Sequence, residues 1–221
     1  MIRMWFLIKS FINLAHVHIQ LLRGIWRISG FPKPIISIFG GSRIKSDDIY
    51  AQGARILAQR FVDHNISVIT GGGPGIMEAA NCGAMYTKKG KGRSIGIGVR
   101  DLEEVRNVCI KEYIEFDYFF ARKWLLTQYS AAFIFFPGGF GTLDELFEIL
   151  TLIQTKKLVQ HPIILVGSEF WHPLLEWIQR EPIHHEFVKA QQTNLLLILD
   201  DLDEIFSIVK KESFKSPEIK R

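Results

Sequence analysis

A run of six apolar residues, Ala131 to Phe136, passes directly into PGGFGTLDE, Pro137 to Glu145, and then into a helical repeat. The run is short and unbroken, as a strand buried on both faces should be. Beyond it, Leu143, Leu146, Phe147, Leu150 and Ile153 recur at helical spacing. Gly138, Gly139 and Gly141 let the backbone turn sharply and let a ligand approach where a Cβ would intrude. Thr142, with Glu145 three residues on, has the T-x-x-E form of a capping box and is expected to be the N-cap. Unpaired N–H groups at such a helix start attract phosphate. Taken alone, the glycines read as a turn plus a cap.

Two further junctions of the same kind decide the fold class. In ITGGGPGIMEAAN, Ile69 to Asn81, a strand end meets a turn at Gly71, Gly72 and Gly73, with Pro74 and Gly75 opening a helix. Ile76, Ala79, Ala80 and Gly83 form a small-residue face suited to close packing on a sheet. ISIFGGSR, Ile36 to Arg43, runs from a hydrophobic strand into Gly40, Gly41, Ser42 and Arg43. Three such loops predict ligand binding at the carboxyl edge of one parallel sheet. None matches the dinucleotide fingerprint or the P-loop, so the ligand implied is a small phosphate-bearing molecule.

The expected fold is α/β: a Rossmann-like parallel sheet with helices on both faces, preceded by an N-terminal amphipathic helix. Strands are predicted near Ile35–Phe39, Ser67–Thr70, Ser94–Gly98, Ala131–Phe136, Pro162–Val166 and Leu195–Leu199. Helices are predicted near Asp47–His64, Gly75–Lys88, Asp117–Ser130, Thr142–Thr155, Phe170–Arg180 and Leu202–Lys211. The chain divides into an N-terminal helix and linker (1–34), a nucleotide-binding catalytic domain (35–209) and a charged tail (210–221). A formal net charge of +4, spread among acids, favours anionic ligands weakly and does not describe a nucleic-acid groove. KKGKGR, Lys88 to Arg93, reads as a solvated helix-to-strand turn. Cys82 and Cys109 form no CxxC or metal spacing and are expected to be buried thiols in a cytoplasmic protein. No metal or cofactor is implied.

Met4 to Leu22 is apolar but interrupted by Lys9, Asn13, His16 and His18, which argues against a membrane span. Lys9, Asn13, His16, Gln20, Arg23 and Arg27 form a narrow polar stripe. Trp5, Ile8, Ile12, Ala15, Ile19, Leu22 and Trp26 form the matching apolar side. That side is expected to pack on the domain or at a subunit contact, with no stable membrane attachment. A basic amphipathic helix lying on a membrane is the alternative.

PGGFGTLDE and GGGPGIME, with FFARK at Phe119 to Lys123, resemble the signature set of the LONELY GUY (LOG) family, whose members carried the label "possible lysine decarboxylase". The resemblance spans roughly Ile35 to Ile178 and implies a cytokinin-activating nucleoside 5′-monophosphate phosphoribohydrolase. It assigns catalysis to Arg122 and Glu145 and phosphate binding to Gly138, Gly139, Gly141 and Thr142. The other glycine loops, through Gly41, Ser42, Gly72, Gly73 and Gly75, complete the expected nucleotide site. Phe119 and Phe120 stand where plant-type members have Met-His, a departure that bears on base specificity and resembles a bacterial branch. Family members assemble as dimers or larger homo-oligomers with active sites near the subunit contact, so a homodimer or higher assembly is expected. A non-catalytic nucleotide-binding or sensing protein using the same loops is the alternative. A literal lysine decarboxylase would need a Schiff-base lysine, and only Lys123 lies inside a motif.

Overall fold

The interior strands are continuous hydrophobic runs because both of their faces are covered. All residues of β1 (Ile35–Phe39), β2 (Ser67–Thr70), β5 (Phe133–Phe135) and β6 (Ile163–Leu165) are buried. A computed structural model describes residues 2–87, 90–100 and 105–214. With β3 (Ser94–Val99), β4 (Glu112–Phe116) and β7 (Leu196–Ile198), these strands form one seven-stranded parallel sheet, ordered β4-β3-β2-β1-β5-β6-β7. Alternate residues of β1 serve opposite faces. Ile36 and Ile38 join a core with α2 (Ile49–Asp63), α3 (Ile76–Met85) and α7 (Leu202–Ser213). Ile35 and Phe39 join one with α1 (Ile2–Ser29), α4 (Phe119–Gln128), α5 (Phe140–Gln154) and α6 (Ser168–Ile178). Ser37, on this second face, is buried with its hydroxyl bonded to the Leu126 carbonyl and to Ser130 Oγ, both at 2.7 Å.

The predicted bounds of β1 and β2 coincide with the observed ones. One strand was not anticipated. β4 pairs with β3 along five residues, but as an edge strand it carries Glu112 and Glu115 and lacks a hydrophobic run. The tail expected from Lys210 is helical through Ser213 as part of α7, and 215–221 lie outside the described residues, as do Lys88 and Lys89 of the basic turn.

One expectation is overturned here and another is narrowed. Cys82, on α3, and Cys109, in the loop before β4, are joined by a disulfide, with Cα atoms 4.9 Å apart, and are not free thiols. Their sequence separation of 27, without a motif, gave no sign of this proximity. The helix α1 docks on the domain, but not through its apolar side, so of the two places expected for that side only the subunit contact stands. Val17 and Ile28 are buried, and Gly24 lets the helix approach so closely that a Cβ there would lie 2.6 Å from Leu125 Cδ1. Gln20 donates to Asp117 Oδ2 at 3.0 Å and Arg27 to the Tyr113 carbonyl at 3.3 Å. The edge formed by β4 and α4 thus presents polar groups as well as Phe116 and Leu125. It accepts part of the polar stripe and a small-residue line, leaving Trp5, Ile8, Ile12, Ile19, Leu22 and Trp26 exposed.

Candidate active site

β2 and β5 flank β1 on opposite sides, so successive connections depart in opposite directions from this point and open a crevice beyond the strand ends. The three glycine loops meet there. Gly41 N–H donates to the Pro137 carbonyl at 2.9 Å, and the Gly41 carbonyl accepts from Ile76 N–H at 3.2 Å. A Cβ on Gly75 would sit 2.3 Å from the Gly41 carbonyl oxygen and 2.8 Å from that of Ser42, and its φ of +69° also demands glycine. A Cβ on Gly41 would meet Gly138 Cα at 3.3 Å. Gly41, Ser42, Gly75 and Gly138 are therefore brought together by main-chain packing. Pro74 was expected at the first helical position, but Gly75 is the N-cap and α3 begins at Ile76. Of the small-residue face on α3, Gly83 packs against the Arg55 carbonyl of α2 rather than against the sheet.

Gly72 and Gly73 are fixed by a residue that the sequence did not single out. Asn107 Nδ2 donates to the carbonyls of Gly72 and Gly73, at 3.1 and 2.9 Å, and Asn107 N–H donates to the Gly72 carbonyl at 3.1 Å. Thr70 Oγ1 accepts from Gly72 N–H at 3.1 Å and donates to Asn81 Oδ1 at 2.7 Å. Buried asparagine is costly unless bonded in this way, but Asn107 sits in an irregular segment with no sequence pattern to mark it.

The start of α5 differs from the expected capping box. Gly139 is the N-cap, without a side-chain cap bond, and the helix runs from Phe140. Thr142 is buried inside the first turn, its N–H bonded to the Gly139 carbonyl at 3.0 Å. Its hydroxyl lies behind the turn, 2.1 Å from where a Gly138 Cβ would be. Gly138 is thus a packing glycine. Gly139 and Gly141 face open space, with nothing within 4 Å of a Cβ position. Among the described residues the N–H groups of Gly139, Phe140 and Gly141 take no main-chain acceptor, so three donors point out of the end of a 15-residue helix.

One turn further along α5, Glu145 is 5% exposed, and its Oε2 has no hydrogen-bond partner. Burial pushes its pKa up to about 7, against the pull of Arg122 and Lys123. A carboxyl left unsatisfied at this depth is costly, and it holds its proton near neutrality. Arg122, half-buried on α4, is anchored by its Nε to the Ile97 carbonyl at 2.9 Å. Its guanidinium passes so near the turn after β2 that a Cβ on Gly71 would be 2.3 Å from Nη2. Arg122 and Glu145 sense each other electrostatically, yet no ion pair joins them among the described residues. Lys123 instead ties the two helices, with Nζ 2.7 Å from both Asp144 Oδ2 and Glu148 Oε2. Burial alone would lower the Lys123 pKa, but the bonds to Asp144 and Glu148 outweigh it and raise it. A lysine held as an ammonium in this way is the opposite of one prepared for a Schiff base.

A family signature described as possible lysine decarboxylase matches residues 77–209. Among curated proteins, the chain is 27% identical to the cytokinin riboside 5′-monophosphate phosphoribohydrolase LOG5 of Arabidopsis thaliana, over 81% of this chain and 78% of that one. It is 30% identical to LOG1 of the same plant, a protein of the same name, covering 77% and 79%. Among solved structures, it resembles the molybdenum cofactor binding protein of Rippkaea orientalis (TM-score 0.60, 22% identity, 81% and 96% covered). It also resembles the molybdenum cofactor carrier protein of Chlamydomonas reinhardtii (TM-score 0.59, 22% identity, 83% and 100% covered). At these identities the structural likeness speaks for the fold alone.

Proposed function

Because the chain belongs to the possible lysine decarboxylase family, that of the LONELY GUY phosphoribohydrolases, we propose that it hydrolyses a purine or cytokinin nucleoside 5′-monophosphate, AMP-like, to free base and ribose 5-phosphate. The observation that carries this reading is the buried, unpartnered Glu145 carboxyl with a pKa near 7, set one turn from three open N–H donors. In the proposed geometry the 5′-phosphate rests on the N–H groups of Gly139, Phe140 and Gly141, with the Gly41–Ser42 and Gly72–Gly75 loops completing the cradle. Thr142 supports that cradle from behind Gly138.

Breaking the N-glycosidic bond builds oxocarbenium character at C1′, and the bonding pair departs with the base nitrogen, which takes up a proton from solvent to give the free base. Glu145, as carboxylate, stabilises the developing cation and takes a proton from the water that adds at C1′. Arg122, always charged, holds phosphate or steadies the negative charge on the leaving base; its guanidinium is a poor proton donor. The replacement of Met-His by Phe119 and Phe120 at the start of α4 bears, in this reading, on which base is accepted; Phe119 lies one turn before Arg122, whereas Phe120 faces the groove beneath α1. The proposed sequence needs neither a metal nor an organic cofactor, since the phosphate charge is met by helix N–H groups and arginine.

The test is incubation of pure protein with AMP and, separately, adenosine, following free adenine and ribose 5-phosphate. Turnover of AMP far above that of adenosine is expected, because phosphate binding positions the ribose. AMP binding without turnover would favour the nucleotide-sensing alternative, and equal turnover of both would remove the phosphate argument.

A further inference from the structure

The open face of α1 has a specific chemistry. No described side chain of this helix is buried before Val17, and Phe11 and Trp26 are 74% and 79% exposed. Ile19 and Trp26 each stand two positions from a docked residue, Val17 and Ile28. At about 100° per residue, that sets the apolar arc on roughly the opposite side of the helix from the domain. Continuous apolar surface of this extent marks a docking site. The first half of the helix, with little support from the domain, is also near the length at which an isolated helix is marginal in water.

The charge of the helix selects the occupant. From Ile2 to Ser29 there is no Asp or Glu; Arg27 is paired with Glu112 of the domain, while Arg3, Lys9 and Arg23 make no ion pair among the described residues. A second copy of α1 laid along the first would bring only like charges to the rim of the contact. The acids of the domain beside the helix are already engaged: Glu112 by Arg93 and Arg27, and Asp117 by Arg100 and His16. An anionic lipid surface supplies both the apolar phase and the missing counter-charge. Trp5 and Trp26, near opposite ends of the exposed arc, are of the type favoured where hydrocarbon meets headgroups. The helix is not long and apolar enough to cross a membrane, so it lies along one, over about 42 Å at 1.5 Å per residue.

We propose that α1 is an interfacial helix that seats this protein on an anionic membrane surface, with the catalytic domain held on the aqueous side. This departs from the sequence expectation of no stable membrane attachment, which rested on the apolar side packing elsewhere.

The experiment is co-sedimentation of the full chain with vesicles of phosphatidylglycerol and phosphatidylcholine in equal parts, against vesicles of phosphatidylcholine alone. Light scattering and circular dichroism of the same samples accompany it. Binding to the anionic vesicles about tenfold or more above the neutral ones is expected. The double variants Ile8→Glu/Ile19→Glu and Lys9→Glu/Arg23→Glu should each lose about tenfold of it with helical content and oligomeric state unchanged. Protein that stays in the supernatant with both vesicle types overturns the proposal. So does an Ile8→Glu/Ile19→Glu variant whose only change is a smaller assembly, which would assign the face to a second copy. The assay uses no nucleotide, so its outcome is independent of the proposed hydrolase activity.

Discussion

Replacing Glu145 with Gln should make the protein more stable at alkaline pH while nearly abolishing its activity. The glutamine has the shape of the protonated acid but cannot ionise. In the folded protein Glu145 titrates at about 7 instead of its ordinary 4.5, so the folded state holds this proton more tightly than the unfolded chain does. Stability is therefore fully present below about 4.5 and is lost as pH rises through 7, where burial opposes the carboxylate more than Arg122 and Lys123 favour it. At 1.36 kcal/mol per tenfold change, the loss approaches about 3 kcal/mol, most of it between pH 5 and pH 8. For a chain of this size that corresponds to roughly 6–12 °C in Tm. The assay is thermal unfolding of both proteins across that pH range. The difference between them, not either Tm alone, is the readout, so any fixed effect of the amide cancels. Turnover of AMP by the variant should fall on the order of 10²–10³-fold. A Tm difference that stays constant from pH 5 to pH 8 would show that Glu145 ionises as an ordinary carboxyl and would refute the reasoning from burial.

The other predictions follow from single contacts. Arg122→Ala should retain its fold, since one hydrogen bond to Ile97 anchors the side chain, and lose activity on the order of 10²-fold or more, as single-turnover kinetics would show. Gly75→Ala and Gly139→Ala should separate packing from binding. The first places a Cβ 2.3 Å from a carbonyl at φ +69° and should lower stability by more than about 1 kcal/mol in denaturant melts. The second meets nothing within 4 Å and should cost only the N-cap preference for glycine over alanine, less than about 1 kcal/mol, while raising KM for AMP. Aromatic side chains exposed on the two helices of the site, Phe119, Phe120, Phe140 and Phe147, predict a homodimer by light scattering at micromolar concentration; a species of 25.4 kDa alone would contradict it.

What could be read in advance was whatever repeated. Ile35–Phe39 and Ser67–Thr70 were legible to the residue because glycines stop them and apolar side chains fill both of their faces. Motif resemblance singled out Glu145 and Arg122 as candidates, but their contrast was not legible. That one would lie buried and unpartnered and the other anchored on Ile97 depends on how α4 and α5 pack. The T-x-x-E pattern misled because it fits a cap or an interior first turn equally, and the open backbone at Gly139 suits the cap position. β4 escaped because an edge strand need bury only part of itself. The Cys82–Cys109 bond and the Asn107 clamp are contacts between a helix and an irregular segment, for which no periodicity exists. On α1 two apolar arcs compete, and the larger one is not the one that docks. Val17, Gly24 and Ile28 dock because the helix can come closer there, a matter of shape and not of hydrophobic content.

The first strand in the sequence lies in the middle of the sheet, and its partner β5 arrives only after three other strands have been made, with Ser37 opposite Phe133. Gly41, just past the end of β1, donates its N–H to the carbonyl of Pro137, almost a hundred residues further on. During synthesis the chain therefore carries Gly41, Ser42 and the Gly72–Gly75 turn long before the element that completes the crevice has left the ribosome. Contacts this distant are closed late and slowly. No N-terminal fragment ending ahead of α5 can bind or cleave a nucleotide in the manner proposed, and returning activity would report the closure of β1 on β5 in a refolding chain rather than the appearance of helices.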